Sequence, residues 1–315
     1  MKLGIVTDSL AQLEFEEMLK TVSELGYETI EIGCGNWSNA PHLDLDGLLN
    51  SKLKREKYLS LIKKYGLSID ALNCSGNQLA PNKMGENHQQ VVEKTFRLAE
   101  LLNVKTIVMM SGLPGGNPND TTPNWITTSW PPENKDILDW QWNEVAFPYW
   151  EKTVKLAEEY GIEKIAIENH GSQLIYNTET LIKLRNQIGN MIGMNLDPSH
   201  MFWMGADPII AARSLGNAIH HVHAKDVRFE KGIYEKDGLL DTKTVDRFTE
   251  RSWNFVAIGY GHPELWWKEF FSAIRMSGYK GAVSLELEDH TIDSMAALHH
   301  STNVLKATIG RNFTK

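Results

Sequence analysis

The feature that most restricts the fold of this chain is a short phrase that returns along its length. "LGYETIEI" (25–32), "YGLSIDAL" (65–72), "YGIEKIAIE" (160–168) and "SGYKGAVSLE" (277–286) each set a glycine just before a compact apolar strand. Upstream of the glycine the apolar residues keep helical spacing, as in Leu13, Met18, Val22 and Leu25, or Trp150, Val154, Leu156 and Tyr160. Gly26, Gly66, Gly161 and Gly278 therefore fall where a helix C-terminus favours a left-handed residue. Stretches 2–6, 104–110, 191–197 and 219–226 fill the remaining strand slots, giving eight strands joined through helical segments.

Strands joined through helices run parallel, and near-continuous apolar strands fit a sheet covered on both faces. An open doubly wound sheet satisfies that pattern, but eight strand–helix units in 315 residues fit a closed (β/α)8 TIM barrel better. No linker interrupts the chain, so residues 1–315 are expected to form a single α/β domain. Two stretches break the rhythm. Residues 111–141 form a long Pro/Gly-rich loop after strand four that carries Trp125, Trp130 and Trp140, with Trp142 and Trp150 on the helix that follows. Residues 227–258 form a second insertion after strand seven. Long ordered loops in compact domains are usually functional, and both would lie on the active-site face of a barrel.

Composition removes several classes of function. A net charge of −8 gives no electrostatic case for nucleic acid. Two cysteines, Cys34 and Cys74, cannot make a disulfide framework and suit a reducing compartment. The opening "MKLGIVTDSL" lacks a charged segment followed by a long apolar core, and nowhere do 18 apolar residues run together as a bilayer span requires. The expectation is a cytoplasmic protein without membrane or nucleic-acid partners.

The strand ends carry the chemistry. "IAIENHG" ends strand five in Glu168, "MNLDPSH" ends strand six in Asp197, "HVHAKD" ends strand seven in His223 and "SLELED" ends strand eight in Glu286. In a barrel, strands five to eight bring these ends side by side. Buried charges are tolerated when paired or bound to a cation. Three carboxylates and one imidazole suit Mn²⁺, Mg²⁺ or Co²⁺ better than the nitrogen- and sulfur-rich sites of zinc. Each acid alone has an ordinary alternative as a helix N-cap, and His223 alone as a hydrogen-bonded core histidine; four at successive strand ends favour one metal site.

Side-chain parity adds neighbours, since residues i and i+2 share a strand face. His170 projects with Glu168, and Lys225 with His223. His200 and Arg228 follow in loops as candidate substrate contacts, with His221 and His200 alternatively structural, and Arg228 and Lys225 alternatively paired with Asp226 or Glu230. Trp125 and Trp130 are candidate flat surfaces for the C–H faces of a sugar, or plain packing on the barrel rim.

"IAIENH", "NLDPSH", "HVHAKD" and "SLELED" resemble the strand-end motifs of the xylose-isomerase-like TIM barrel superfamily of sugar isomerases and epimerases, and the resemblance spans essentially the whole chain. It implies that Glu168, Asp197, His223 and Glu286 hold one divalent ion, often Mn²⁺, and that the two glutamates double as acid and base on either side of a bound sugar. It implies proton abstraction next to a carbonyl through a metal-stabilised enediolate, with epimerisation or aldose–ketose isomerisation as the outcome. The 111–141 loop and the "HAKDVR…W…GYGH" stretch look closer to a longer subgroup, which includes the catalytic subunits of C-glycoside deglycosidases. There a histidine placed like His170 is the base, and a 3-keto glycoside undergoes elimination. A metal-dependent lyase or an inosose-type dehydratase is therefore the alternative, and a non-catalytic sugar-binding subunit the remaining one. The resemblance implies a small sugar or keto-glycoside substrate and leaves open a homo-oligomer or a small partner subunit.

Overall fold

A computed structural model describes residues 1–310, so the last five positions of the expected 1–315 domain lie outside the described residues. The eight barrel strands are β1 (Lys2–Val6), β2 (Thr29–Gly33), β3 (Ser68–Asn73), β4 (Thr106–Met109), β5 (Lys164–Glu168), β6 (Ile192–Leu196), β7 (Ile219–Ala224) and, after an intervening hairpin of β8 (Asp226–Phe229) and β9 (Trp253–Val256), β10 (Ala282–Leu285). They close in the order β1-β10-β7-β6-β5-β4-β3-β2. Pairing is parallel, with Gly4 opposite Ser284, Val6 opposite Glu31, Ser284 opposite His223 and Val108 opposite Ala166. This is the expected (β/α)8 barrel. All four phrase glycines adopt positive φ, from 66° at Gly161 to 88° at Gly278, because the chain must leave each helix through a left-handed step before entering its strand.

The contacts group the chain into two compact units, one of Met1–Glu31, Ile62–Ser68 and Asn195–Lys315, the other of Ile32–Leu61 and Ile69–Met194. In the second, Ala71, Val108 and Ala166 form a small apolar cluster on β3, β4 and β5. Ala166 shares the face of Glu168 by strand parity, so small side chains underlie that carboxylate. In the first unit four polar strand residues, Glu31, His221, His223 and Ser284, are buried.

The insertion after β4 differs from a plain loop. Residues 133–140 form a helix, Gln141–Ala146 a π-helical stretch and Phe147–Glu159 a further helix. Trp140 thus lies on a helix, while Trp142 and Trp150 are buried. Acidic Glu133 and Asp136 in the first turn suit the positive helix N-terminus. The buried Gln141 amide ties the remaining loop, donating to Gly115 O at 2.9 Å and Asn124 O at 2.7 Å.

The insertion after β7 contains the antiparallel pair β8–β9, which the helix-joined rhythm did not foretell. Its apolar core is Phe202, Val227 and Trp253, with Trp203, Phe229, Leu239, Phe255 and Trp266 packed against it. Asp226 ties the insertion down. Its carboxylate accepts from the backbone N–H of Val227 (2.8 Å), Gly259 (2.9 Å), Gly261 (3.1 Å) and His262 (3.1 Å), and lies 2.8 Å from His262 Nδ1. "HAKD" and "GYGH" are therefore two halves of one junction.

Candidate metal centre

Asp197 follows β6 and caps the short helix Pro198–Trp203, its Oδ1 accepting from Ser199 N at 2.7 Å. The capping alternative is thus real, and it fixes the carboxylate without consuming it. The second oxygen, Oδ2, lies 3.6 Å from His200 Nε2. His223 and Glu286 follow from the neighbouring strands β7 and β10, where Glu286 N donates to Ala224 O at 3.0 Å and so fixes the backbone register. The side chains meet directly, with His223 Nδ1 2.8 Å from Glu286 Oε2. Asp197, His223 and Glu286 each offer a ligand-type atom within 4.8 Å of the others.

Lys225 is 4% exposed. Its ammonium lies 2.7 Å from Glu286 Oε1 and 2.6 Å from Glu288 Oε2, and 4.2 Å from the centre of the Phe255 ring. It pairs with these glutamates rather than with Asp226 or Glu230. Burial pushes the Glu286 carboxyl up, but Lys225 and His223 outweigh it and hold the group well below the usual carboxylate range. Burial depresses the His223 imidazole, yet Glu31 and Glu286 raise it well above its ordinary value. His200 goes the other way: burial, helped by the Lys225 charge, pulls it down to about 3. It is neutral at pH 7, and because Trp203 Nε1 donates to its Nδ1 at 3.4 Å, the proton sits on Nε2, facing Asp197.

Glu168 is buried at the end of β5. Glu168 and His170, two residues beyond the strand end, bring ligand-type atoms within 4.8 Å of each other. Three other expected contacts have different surroundings. The Arg228 guanidinium holds Glu230 Oε1 through Nε at 3.0 Å and a terminal nitrogen at 2.7 Å, the ordinary pairing weighed for it. Trp130 is 74% exposed, and Trp125 sets its ring edge-on to Tyr176 with centroids 5.6 Å apart.

Sequence reasoning missed two residues. Glu31 is a lone, fully buried carboxylate in the apolar "TIEIG" strand, and that isolation was its only signal. Phe255 sits on a hairpin that the periodicity did not reveal.

The donor set fits a divalent cation. Asp197, Glu286 and His223 bring two carboxylates and one imidazole together, an oxygen-rich donor set of the kind that holds such ions. Among the described residues no helix is long and apolar enough to cross a membrane.

Comparison with known proteins agrees with the fold. An uncharacterised protein of Bacillus subtilis (strain 168), YfiH, is 55% identical over 313 residues, covering 99% of this chain and 100% of its own. An inosose dehydratase of Clostridium tetani is 27% identical over 161 residues, half of each chain. Among solved structures, a D-tagatose 3-epimerase-like protein superposes with a TM-score of 0.63 at 20% identity, covering 98% of both chains. IolI protein with a bound zinc atom superposes at 0.67 and 20% identity over the full length of both. The xylose isomerase-like TIM barrel family matches residues 19–308, and the chain belongs to that family.

Proposed function

We propose that this protein is a divalent-metal-dependent sugar isomerase or epimerase in which Glu168, Asp197, His223 and Glu286 hold the ion. The observation that carries the reading is convergence: Asp197, His223 and Glu286 each offer a ligand-type atom within 4.8 Å of the others, and Glu168 is proposed as the fourth ligand. Mn²⁺ suits the oxygen-rich set, with Mg²⁺ and Co²⁺ as alternatives; the zinc in the IolI structure supports a divalent ion without selecting one. An ion held by these residues would supply Lewis-acid polarisation of a substrate carbonyl, which would acidify the adjacent C–H bond.

The chain's own groups then move the proton. Glu168 and Glu286 approach from different strands, so one carboxylate removes the proton and the other returns it on the opposite face or at the adjacent carbon. Lys225, paired with Glu286 and Glu288, presents positive charge to a developing substrate oxyanion. His200, neutral with its proton on Nε2, donates a hydrogen bond to a substrate oxygen.

A second reading rests on His170. Its Nδ1 lies 2.5 Å from Gly171 O, and a carbonyl can only accept, so the proton is on Nδ1 and Nε2 is the basic nitrogen. A histidine so fixed suits proton removal beside a ketone with loss of a leaving group, the lyase or dehydratase outcome; the partial similarity to an inosose dehydratase points the same way.

Solvent deuterium exchange followed by NMR on ketoses and 3-keto glycosides separates the two. Exchange beside the carbonyl without cleavage supports the isomerase or epimerase, release of a fragment or of water supports the lyase, and no exchange on any keto sugar with metal-loaded protein rejects both. In the same assay Glu168→Gln is expected to slow exchange by about 10²–10⁴-fold; a near-normal rate removes Glu168 from the chemistry.

A further inference from the structure

The geometry points to Glu31 as the residue that positions His223 for metal binding, an inference that rests on the metal-binding reading above. Glu31 lies on β2, has no exposed surface, and belongs to none of the strand-end motifs. Its Oε1 and Oε2 lie 3.1 and 3.0 Å from His223 Nε2, and Oε2 lies 2.7 Å from His221 Nε2. Ser284 Oγ, 3.2 Å from His221 Nε2, braces that second ring.

An ionised carboxylate only accepts hydrogen bonds, so Nε2 of His223 must carry a proton. That leaves Nδ1, which faces Glu286 Oε2 at 2.8 Å, as the nitrogen that can give up its proton to a cation while Nε2 keeps its own against Glu31. A histidine ligates a metal through its unprotonated nitrogen, and a carboxylate behind the opposite nitrogen fixes both tautomer and ring plane and makes the ligand more basic. Glu31 supplies that support from a different strand, and His221 holds Glu31 in turn. A positioning role also explains a fully buried carboxylate deep in the barrel: two imidazoles satisfy it.

The competing account is that Glu31, His221 and His223, whose ligand-type atoms also lie within 4.8 Å of one another, hold an ion of their own. Calorimetric titration of chelator-treated full-length protein with Mn²⁺, and visible spectra of the Co²⁺ form, decide between them. The expected result is one equivalent bound by the wild type, affinity about 10–100-fold weaker in Glu31→Ala, and a smaller loss in Glu31→Gln, whose amide oxygen still accepts from Nε2. The Co²⁺ absorption bands should shift in Glu31→Ala, which a purely structural effect on stability would not produce. Glu31→Gln keeps the test valid should Glu31→Ala fail to fold. Two equivalents in the wild type with one lost in the variants would make Glu31 a ligand and overturn the inference. So would wild-type affinity and an unchanged Co²⁺ spectrum in both variants. A wild type that binds no ion would instead fail the metal-binding reading itself, and the inference would fall with it.

Discussion

Glu286→Gln should lower turnover by about 10²–10⁴-fold, the scale of a lost acid–base group, with a further loss from weaker metal binding. One carboxylate serves three roles here. Its Oε2 faces His223 Nδ1 at 2.8 Å, its Oε1 holds Lys225 at 2.7 Å, and the group is proposed to ligate the ion and carry the substrate proton. Glutamine keeps the shape and one acceptor oxygen but removes the charge that all three roles need. Lys225 retains Glu288 at 2.6 Å, so its ammonium is not stranded, and the Glu286 side chain is 25% exposed. The stability cost should therefore stay near about 1 kcal/mol, the centre of the range for single substitutions. Steady-state kinetics with metal in excess, beside a denaturant melt, checks both parts. Turnover within about threefold of wild type would take Glu286 out of the mechanism, whatever the melt shows.

The second large effect is on stability. Asp226→Ala should destabilise the protein by about 3–5 kcal/mol, on the scale of a broken buried hydrogen-bond network. The carboxylate satisfies four backbone N–H groups and the His262 ring, and Trp267 Nε1 lies 3.4 Å away. Alanine leaves these donors without their acceptor around a carboxylate that itself has no exposed surface. The junction has no slack elsewhere: a Cβ on Gly261 would fall 2.1 Å from Val227 O and 2.6 Å from Asp226 Oδ1. Activity should fall with stability, since Lys225 adjoins Asp226 and lies under Phe255 of the tethered hairpin. Urea denaturation together with limited proteolysis tests this: the midpoint should drop sharply and new cleavage should appear within 227–262. A midpoint shift equivalent to less than about 1 kcal/mol would show that the hairpin's apolar core, not Asp226, holds the insertion.

Local chemistry made the barrel readable. A left-handed helix exit favours glycine, so Gly26, Gly66, Gly161 and Gly278 mark four strand starts, and a buried strand ending in a charge is costly enough to be conspicuous, as at Glu168 and Glu286. Long-range pairing stayed hidden. Glu31 and His221 are 190 residues apart, and nothing near "TIEIG" announces a partner. The hairpin was obscured because its strands are short and separated by 23 residues (230–252). Within 111–141 the prolines and tryptophans read as loop, yet Pro131 and Pro132 directly precede a helix with acidic residues in its first turn, an arrangement that initiates helices as readily as it ends them. Arg228 was ambiguous for a different reason: Glu230, two residues on along the same edge, competes for it locally, and that pairing is the one formed.

The central claim concerns where one ion sits. Crystals grown without chelator and soaked in Mn²⁺ should give a single anomalous difference peak bonded to Glu168, Asp197, Glu286 and the Nδ1 of His223. A well-ordered crystal with no peak among those side chains, or with the ion bound elsewhere in the barrel, would contradict it.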